Sequence, residues 1–219
     1  MDAEAFTSFY TGHLLDTILP FWLKGAVDTR RGGVYTCFDN SGSKLVSKDK
    51  YTWSQGRFVW MMARMADLCD RGLIPADGVD YREIAAKTAD FLLKHVFLPN
   101  GYCVFAMDEE GNPLDPQGHG RLDVSIYADC FVSLGFLELA RVDSSETLLE
   151  RAWSLYLLCG RRIQSGDYLI EPYPVPAEIT VHGIPMILLN VAVEFYAVFE
   201  RLGDVRGSIV KSHIQVYVQ

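Results

Sequence analysis

The sequence lacks paired cysteines, basic clusters and long uninterrupted apolar runs. Its five cysteines are isolated from one another and none forms a CxxC pair, so neither a disulfide framework nor a cysteine zinc site is predicted. The net charge is −8 and no block rich in lysine or arginine occurs, which argues against nucleic acid as a partner. Apolar runs stop short of the roughly 20 residues that a membrane span requires, so no membrane segment is predicted.

Targeting and cofactor motifs are missing as well. The start, MDAEAF, has no basic leader followed by an apolar stretch, so a secretory signal is not expected. An odd number of cysteines without such a signal predicts reduced thiols and a cytoplasmic location. We find no metal-ligand spacing, phosphate loop or nucleophile elbow, and therefore predict no metal and no cofactor. His119, between glycines in QGHGR, is predicted to be a loop residue without a second metal ligand.

Two kinds of helical segment alternate along the chain. The first kind carries apolar residues at spacings of three and four on one side only, which predicts amphipathic outer helices. These segments are 4–23, 82–97 and 146–159. The second kind is apolar on nearly every side, and such a helix has to be buried on every side. These inner segments are 53–69, 124–140 and 184–199.

The inner segments recur about every sixty to seventy residues, which is typical of an architectural repeat. The predicted fold is therefore all-α, a two-layered curved array or barrel of α/α hairpins. The loops that enter the inner helices are long (24–52, 98–122 and 160–183), and two of them contain hairpin-like stretches at 32–39 and 101–114. These loops should gather at one mouth of the array, where binding sites are usually found.

A charged side chain interrupts the apolar run of the first inner helix. Arg57 lies one turn after Trp53 and one turn before Trp60. A buried guanidinium requires a partner, so Arg57 either pairs with a carboxylate such as Asp123 or Asp129 or lines a cavity for a ligand.

The corresponding positions of the other inner helices also carry polar groups. Tyr127 lies at the start of the second inner helix, and His182, Met186 and Asn190 lie at the start of the third. Indole, guanidinium, phenol and imidazole around one concavity suit a polyhydroxylated ligand such as a sugar. Tyr127 could equally be a hydrogen-bonded core tyrosine, and His182 could be a capping or solvated residue.

Three stretches resemble the N-acylglucosamine 2-epimerase family, which contains sugar 2-epimerases and aldose–ketose isomerases. The stretch GGVYTCFDNSGSKLVSKDKYTWSQGRFVW is similar to the family's N-terminal signature, and VSIYADCF and HGIPMILLN are similar to two later segments. The resemblance implies an (α/α)6 barrel, of which this chain would supply about three of six hairpins. It also implies proton abstraction at C2 of an open-chain sugar, with histidines as acid and base.

Carried over residue by residue, the resemblance places Arg57 and Trp53 among the substrate-binding residues, with Tyr127 and His182 on or near other pocket positions. The family's catalytic histidines would fall outside this chain, so no catalytic residue is predicted within it. We expect an incomplete barrel domain at 1–203, a divergent tail at 204–219 with a strand-like end, and a truncated chain that self-associates or binds a partner through its open edge.

Two other functions remain open from the sequence. One is a glycoside hydrolase on an α/α barrel, which needs two carboxylates across a cleft and has only Asp123 and Asp129 as candidates at the mouth. The other is a non-catalytic product that binds carbohydrate or protein. A small-molecule sugar is the expected ligand for the leading hypothesis.

Overall fold

The fold consists of long helices separated by loops that contain short strands. A computed structural model describes residues 2–75, 78–118, 120–172, 175–176, 178–179 and 181–218. The helices are Ala3–His13 (α1), Leu19–Gly25 (α2), Thr52–Asp70 (α3), Tyr81–His95 (α4), Ile126–Asp143 (α5), Glu146–Ser165 (α6), Gly183–Leu202 (α7) and Arg206–Tyr217 (α8). The strands are Cys37–Phe38 (β1), Leu45–Ser47 (β2), Lys50–Tyr51 (β3), Ala106–Met107 (β4) and Pro113–Leu114 (β5). The predicted all-α class is confirmed.

Helices α3, α5 and α7 form the inner layer. Gly56 meets the backbone at Phe131 near the starts of α3 and α5, and Asp67 pairs with Arg141 near their ends, so the two helices run in the same direction. Helix α7 packs on the other side of α5. Because α5 lies between two inner neighbours, it is buried around most of its circumference, as its sequence predicts.

The outer layer consists of α4 against α3, α6 against α5, and α8 against α7. The predicted alternation of outer and inner helices is therefore confirmed. Helix α6 continues to Ser165, six residues past the predicted end at 159. The buried face of α6 ends on a charged residue, Arg162, so a search for apolar residues at helical spacing ends the helix too early. This face comprises Ala152, Trp153, Leu155, Tyr156, Cys159 and Arg162.

The prediction of a strand-like end to the chain is wrong, because Arg206–Tyr217 is helical. The alternation of apolar residues in HIQVYV is short, and it lies within a longer pattern of helical spacing. Gly207 and Val210 are buried on that side of α8, and Ile214 and Tyr217 are partly buried against the core. The side chain of Asp204 accepts a hydrogen bond from the backbone N–H of Arg206 where the helix begins.

The short strands lie at the loop-rich end of the inner layer. Strands β1 and β2 pair as an antiparallel hairpin, and β3, β4 and β5 form a small antiparallel sheet. The predicted hairpins are thus present, but the first begins at Cys37 rather than at residue 32. Gly32 and Gly33 have φ values of 91° and 92°, which no strand residue adopts. Since β3 leads directly into α3, the sheet fixes the mouth of the array.

The two edges of the array leave apolar side chains uncovered. None of the residues of α1 is buried, and Phe9 and Tyr10 are 60% and 62% exposed. Helix α7 carries Met186 and Val193 on an uncovered face. Contrary to the prediction from run lengths, α7 is long and apolar enough to cross a membrane by length and composition alone, although 44% of its most apolar window is buried in the fold.

Candidate active site

The loop before α3 is fastened to the start of that helix by buried polar groups. Gln55 accepts a hydrogen bond from the N–H of Val34 (2.8 Å) and donates to the carbonyl of the same residue (2.7 Å). A Cβ atom on Gly33 would lie only 2.7 Å from Oε1 of Gln55, so the close approach requires glycine. These residues of the family-like signature therefore hold the loop in place.

Lys50 is the second buried fastening of this loop, and its side chain is fully inaccessible to solvent. Its Nζ donates to Oδ2 of Asp28 (2.8 Å), to the carbonyl of Gly32 (2.9 Å) and to the carbonyl of Glu109 (3.1 Å). The ammonium also lies 4.0 Å from the ring centre of Phe91. All three ammonium donors are thus satisfied, and the first and second long loops are joined through one cation.

Burial alone would raise the pKa of Asp28. Hydrogen bonds from Lys50, Tyr35 and the backbone of Arg31 outweigh burial and lower this pKa to about 2. The carboxylate therefore stays ionised opposite the buried ammonium.

Arg57 is exposed, which corrects the expectation of a buried guanidinium. Within the described ranges it makes neither an ion pair nor a hydrogen bond, and its guanidinium lies 4.3 Å from the ring centre of Phe131 on α5. The alternative of a structural ion pair is wrong, because Asp123 and Asp129 pair with other arginines. Arg57 thus presents unused donors on the inner face of the array.

Two tryptophans flank Arg57 on the inner helix. Trp53 and Trp60 are both half-buried. The Nε1 atom of Trp60 is buried and has no hydrogen-bond partner in the part of the chain that the structure describes. An indole N–H without an acceptor is uncommon in a folded protein.

The hydroxyl of Tyr127 lies beside Gly183, the residue after His182, where α5 and α7 begin. A Cβ atom on Gly183 would lie 2.5 Å from the hydroxyl of Tyr127, so the glycine leaves room for the phenol. Burial raises the pKa of Tyr127, which keeps the hydroxyl protonated. His182 is exposed directly before α7, and its side chain does not cap the helix. Arg57, Phe131, Tyr127 and His182 therefore line neighbouring parts of the mouth.

A second buried cation of the mouth is Arg162, which was not predicted from the sequence. Its Nη1 donates to Asp129 (2.8 Å), its Nη2 to the carboxylate of Asp123 (3.1 Å) and its Nε to the carbonyl of Asp167 (3.0 Å). The guanidinium also lies 3.8 Å from the ring centre of Tyr102. This network joins the end of α6 to the start of α5. Its burial could have been predicted from the helical spacing that places residue 162 on the buried face of α6.

Burial raises the pKa of Asp129 to about 6, although Arg162 and the N–H of Cys103 oppose the rise.

An ion-pair cluster closes the opposite end of the inner face. Arg64 on α3 contacts Glu138 on α5 and Glu194 on α7, each at 3.0 Å. Glu138 is 2% exposed and also pairs with Arg141, which contacts Asp67. One arginine thus ties all three inner helices together. Residues 2–75, 78–118 and the later described ranges contain no group of three or more candidate metal ligands.

Comparisons with known proteins agree with this architecture. No family model matches the chain. It is 26% identical to the N-acylglucosamine 2-epimerase of Rattus norvegicus over 224 residues, which cover 93% of this chain and 49% of the relative. The structure of cellobiose 2-epimerase from Spirochaeta thermophila covers 98% of this chain with a TM-score of 0.73 and 18% identity, and 53% of that chain is covered. A crystal structure of D-mannose isomerase covers 99% of this chain with a TM-score of 0.68 and 16% identity, again with 53% of that chain covered.

Fold and site define an α/α-barrel protein with an aromatic, arginine-bearing inner face. The chain is similar in sequence to N-acylglucosamine 2-epimerases and in fold to cellobiose 2-epimerase. It spans about half the length of the curated relatives it matches.

Proposed function

We propose that this chain supplies the substrate-binding part of a carbohydrate epimerase or isomerase that abstracts a proton at C2 of an open-chain sugar. The observation that carries this proposal is the guanidinium of Arg57 against Phe131, which forms no ion pair with the described residues and lies on the same helix as Trp53 and Trp60. Arg57 would stabilise the enediolate oxygen, a contact that matters most in the transition state. Trp53, Tyr127 and His182 would bind the remainder of the sugar.

The ion pairs of the mouth disfavour the hydrolase alternative. A glycosidase requires two carboxyl groups that face the glycosidic bond across a cleft. Asp129 is fully buried against Arg162, and Asp123 is buried between Arg121 and Arg162. Both carboxylates are therefore paired with arginines within the fold and do not face a cleft. The non-catalytic alternative, a chain that only binds carbohydrate or protein, is separated from the leading proposal by the exchange measurement below.

Replacing Arg57 by alanine should weaken sugar binding at least tenfold and change the free energy of unfolding by less than about 1 kcal/mol. The loss of binding follows from removing a charged donor, and the small stability effect follows from losing one exposed cation–π contact. Saturation-transfer NMR with D-mannose and N-acetylmannosamine measures the first quantity, and urea unfolding measures the second. Arg30→Ala removes an exposed arginine of the first loop and serves as the matched control. Unchanged affinity in Arg57→Ala would remove Arg57 from the site.

The chain by itself should not exchange the C2 hydrogen of these sugars. The resemblance implies that the family's catalytic histidine pair falls outside this chain, and proton abstraction near neutral pH requires a base of suitable pKa. Incubation in deuterated water followed by NMR at C2 tests this expectation. Deuterium above the blank rate that disappears in His182→Gln would show that the chain contains its own base, contrary to our assignment.

We also propose that the chain self-associates, or binds a partner, through the open edge of the array. Uncovered Met186 and Val193 on α7 support this, because soluble monomers seldom leave large contiguous apolar patches exposed. Light scattering should give a mass above the 24.6 kDa of one chain, and Val193→Glu should lower it. Val205→Glu, at a position 83% exposed between α7 and α8, is the control. A clean wild-type monomer that melts cooperatively would refute the proposal.

A cytoplasmic location remains our proposal, supported by five cysteines that form no disulfide with one another among the described residues.

A further inference from the structure

A second cleft lies between the outer helices α6 and α8, separate from the inner face. Its volume is about 460 Å³, which falls within the range of small-molecule sites. Leu157 and Ile163 of α6, Leu188 of α7 and Val216 of α8 supply apolar walls. Three helices thus enclose a space large enough for a small organic molecule.

Gly160 leaves one wall of this cleft without a side chain. It lies inside α6, where glycine costs roughly 1 kcal/mol relative to alanine. A Cβ atom on Gly160 would meet nothing within 4 Å, so no neighbouring group requires glycine there. The consequence of this residue is an open cleft.

The polar groups of the cleft are suited to an anion. Tyr156 and Nδ1 of His213 form a hydrogen bond of 2.8 Å at one side. Burial lowers the pKa of His213, which favours the neutral ring at pH 7. Arg161 and Gln164 line the rim, and Arg161 makes no ion pair with any described residue. No aspartate or glutamate is found among the described residues that line the cleft.

We propose that this cleft binds a small amphipathic carboxylate, with its apolar body against Leu157, Leu188 and Val216 and its carboxylate at Arg161. The charge of the rim selects the anionic head, because Arg161 is a charged donor that forms no ion pair with the described residues. The walls select an apolar body, which they remove from water. The cleft shares none of the residues proposed to bind the sugar.

Saturation-transfer NMR with 4-phenylbutyrate as the probe tests the proposal, since this method tolerates self-associated protein. We expect saturable binding, and binding at least tenfold weaker for the neutral analogue 4-phenylbutan-1-ol. Arg161→Gln should lower the affinity for the anion about tenfold. Arg151→Gln, an exposed arginine earlier on α6, should leave it unchanged.

Gly160→Leu fills the cleft and should abolish binding without lowering the melting temperature. Val216→Trp, at a position 66% exposed near the end of α8, is a second filling variant should the first fail to fold. Probe binding that persists in the folded filling variants, or equal binding of acid and alcohol, would overturn the assignment. So would the absence of saturable binding to the wild-type chain.

Discussion

Lys50→Met is expected to lower the free energy of unfolding by about 3–5 kcal/mol, because it leaves the buried carboxylate of Asp28 without its cation. The ammonium satisfies three acceptors at once, and one of them belongs to the second long loop. Methionine has a similar length, so the loss measures charge and hydrogen bonds rather than volume. Urea unfolding followed by circular dichroism measures the difference.

Lys48→Met is the matched control for this prediction. Lys48 lies two residues away, is 56% exposed and pairs with Glu109, so its removal should cost less than about 1 kcal/mol. Equal losses in the two variants would show that the buried pair does not fasten the loop.

The same pair predicts acid sensitivity. The pKa of Asp28 in the folded protein, about 2, lies below its value in the unfolded chain. Its contribution to stability is therefore complete above the unfolded pKa of about 3.9 and is lost as the pH falls towards 2. Lys50→Met should lack this part of the acid dependence.

Arg162→Met should destabilise the protein by a comparable amount, about 3–5 kcal/mol, since Asp129 would remain buried without a counterion. The start of α5 and the end of α6 would lose their common partner. We therefore expect weaker sugar binding as well, through displacement of Tyr127. Arg162→Lys should restore part of the stability, because it retains the charge but not the planar set of donors.

The loss of unfolding free energy caused by Arg162→Met should grow as the pH rises from about 5 to about 8. Burial already raises the pKa of Asp129 to about 6, and removal of Arg162 takes away a group that lowers it. A carboxyl group whose folded pKa exceeds its unfolded value disfavours the fold as it ionises. Arg121→Gln, which removes a half-exposed partner of Asp123, should cost no more than about 1 kcal/mol at either pH. A loss of stability in Arg162→Met that does not change with pH would contradict the proposal that Asp129 depends on Arg162 as its counterion.

Apolar periodicity was sufficient to predict the alternation of inner and outer helices, because burial of α5 on all sides leaves an unambiguous pattern. It was insufficient for the polar interior. Arg57 and Arg162 are both arginines in helices, yet the first is exposed and the second is 1% exposed. Their difference depends on carboxylates supplied by distant parts of the chain, which spacing within one helix does not encode.

The C-terminal helix was also mispredicted, because a short apolar pattern fits more than one type of secondary structure. The strand predicted from HIQVYV fails because alternation over six residues also fits one side of a helix when the preceding turns supply Gly207 and Val210. The positions of Trp53, Tyr127 and His182 at the mouth agree with the prediction from parallel inner helices. Their roles in binding a sugar stay predictions.

The contact of Gly56 and Gly135 has a consequence for how the ligand preference of this protein could change. The backbones of α3 and α5 touch at these glycines, and any side chain at residue 56 would collide with the backbone at Phe131 and Val132. The separation of Arg57 from the ring of Phe131 is therefore set by a neighbouring residue that has no side chain. Selection for acceptance of a bulkier ligand would be expected to yield substitutions at Gly56 or Gly135, which widen the helix spacing, before it altered the residues that contact the ligand.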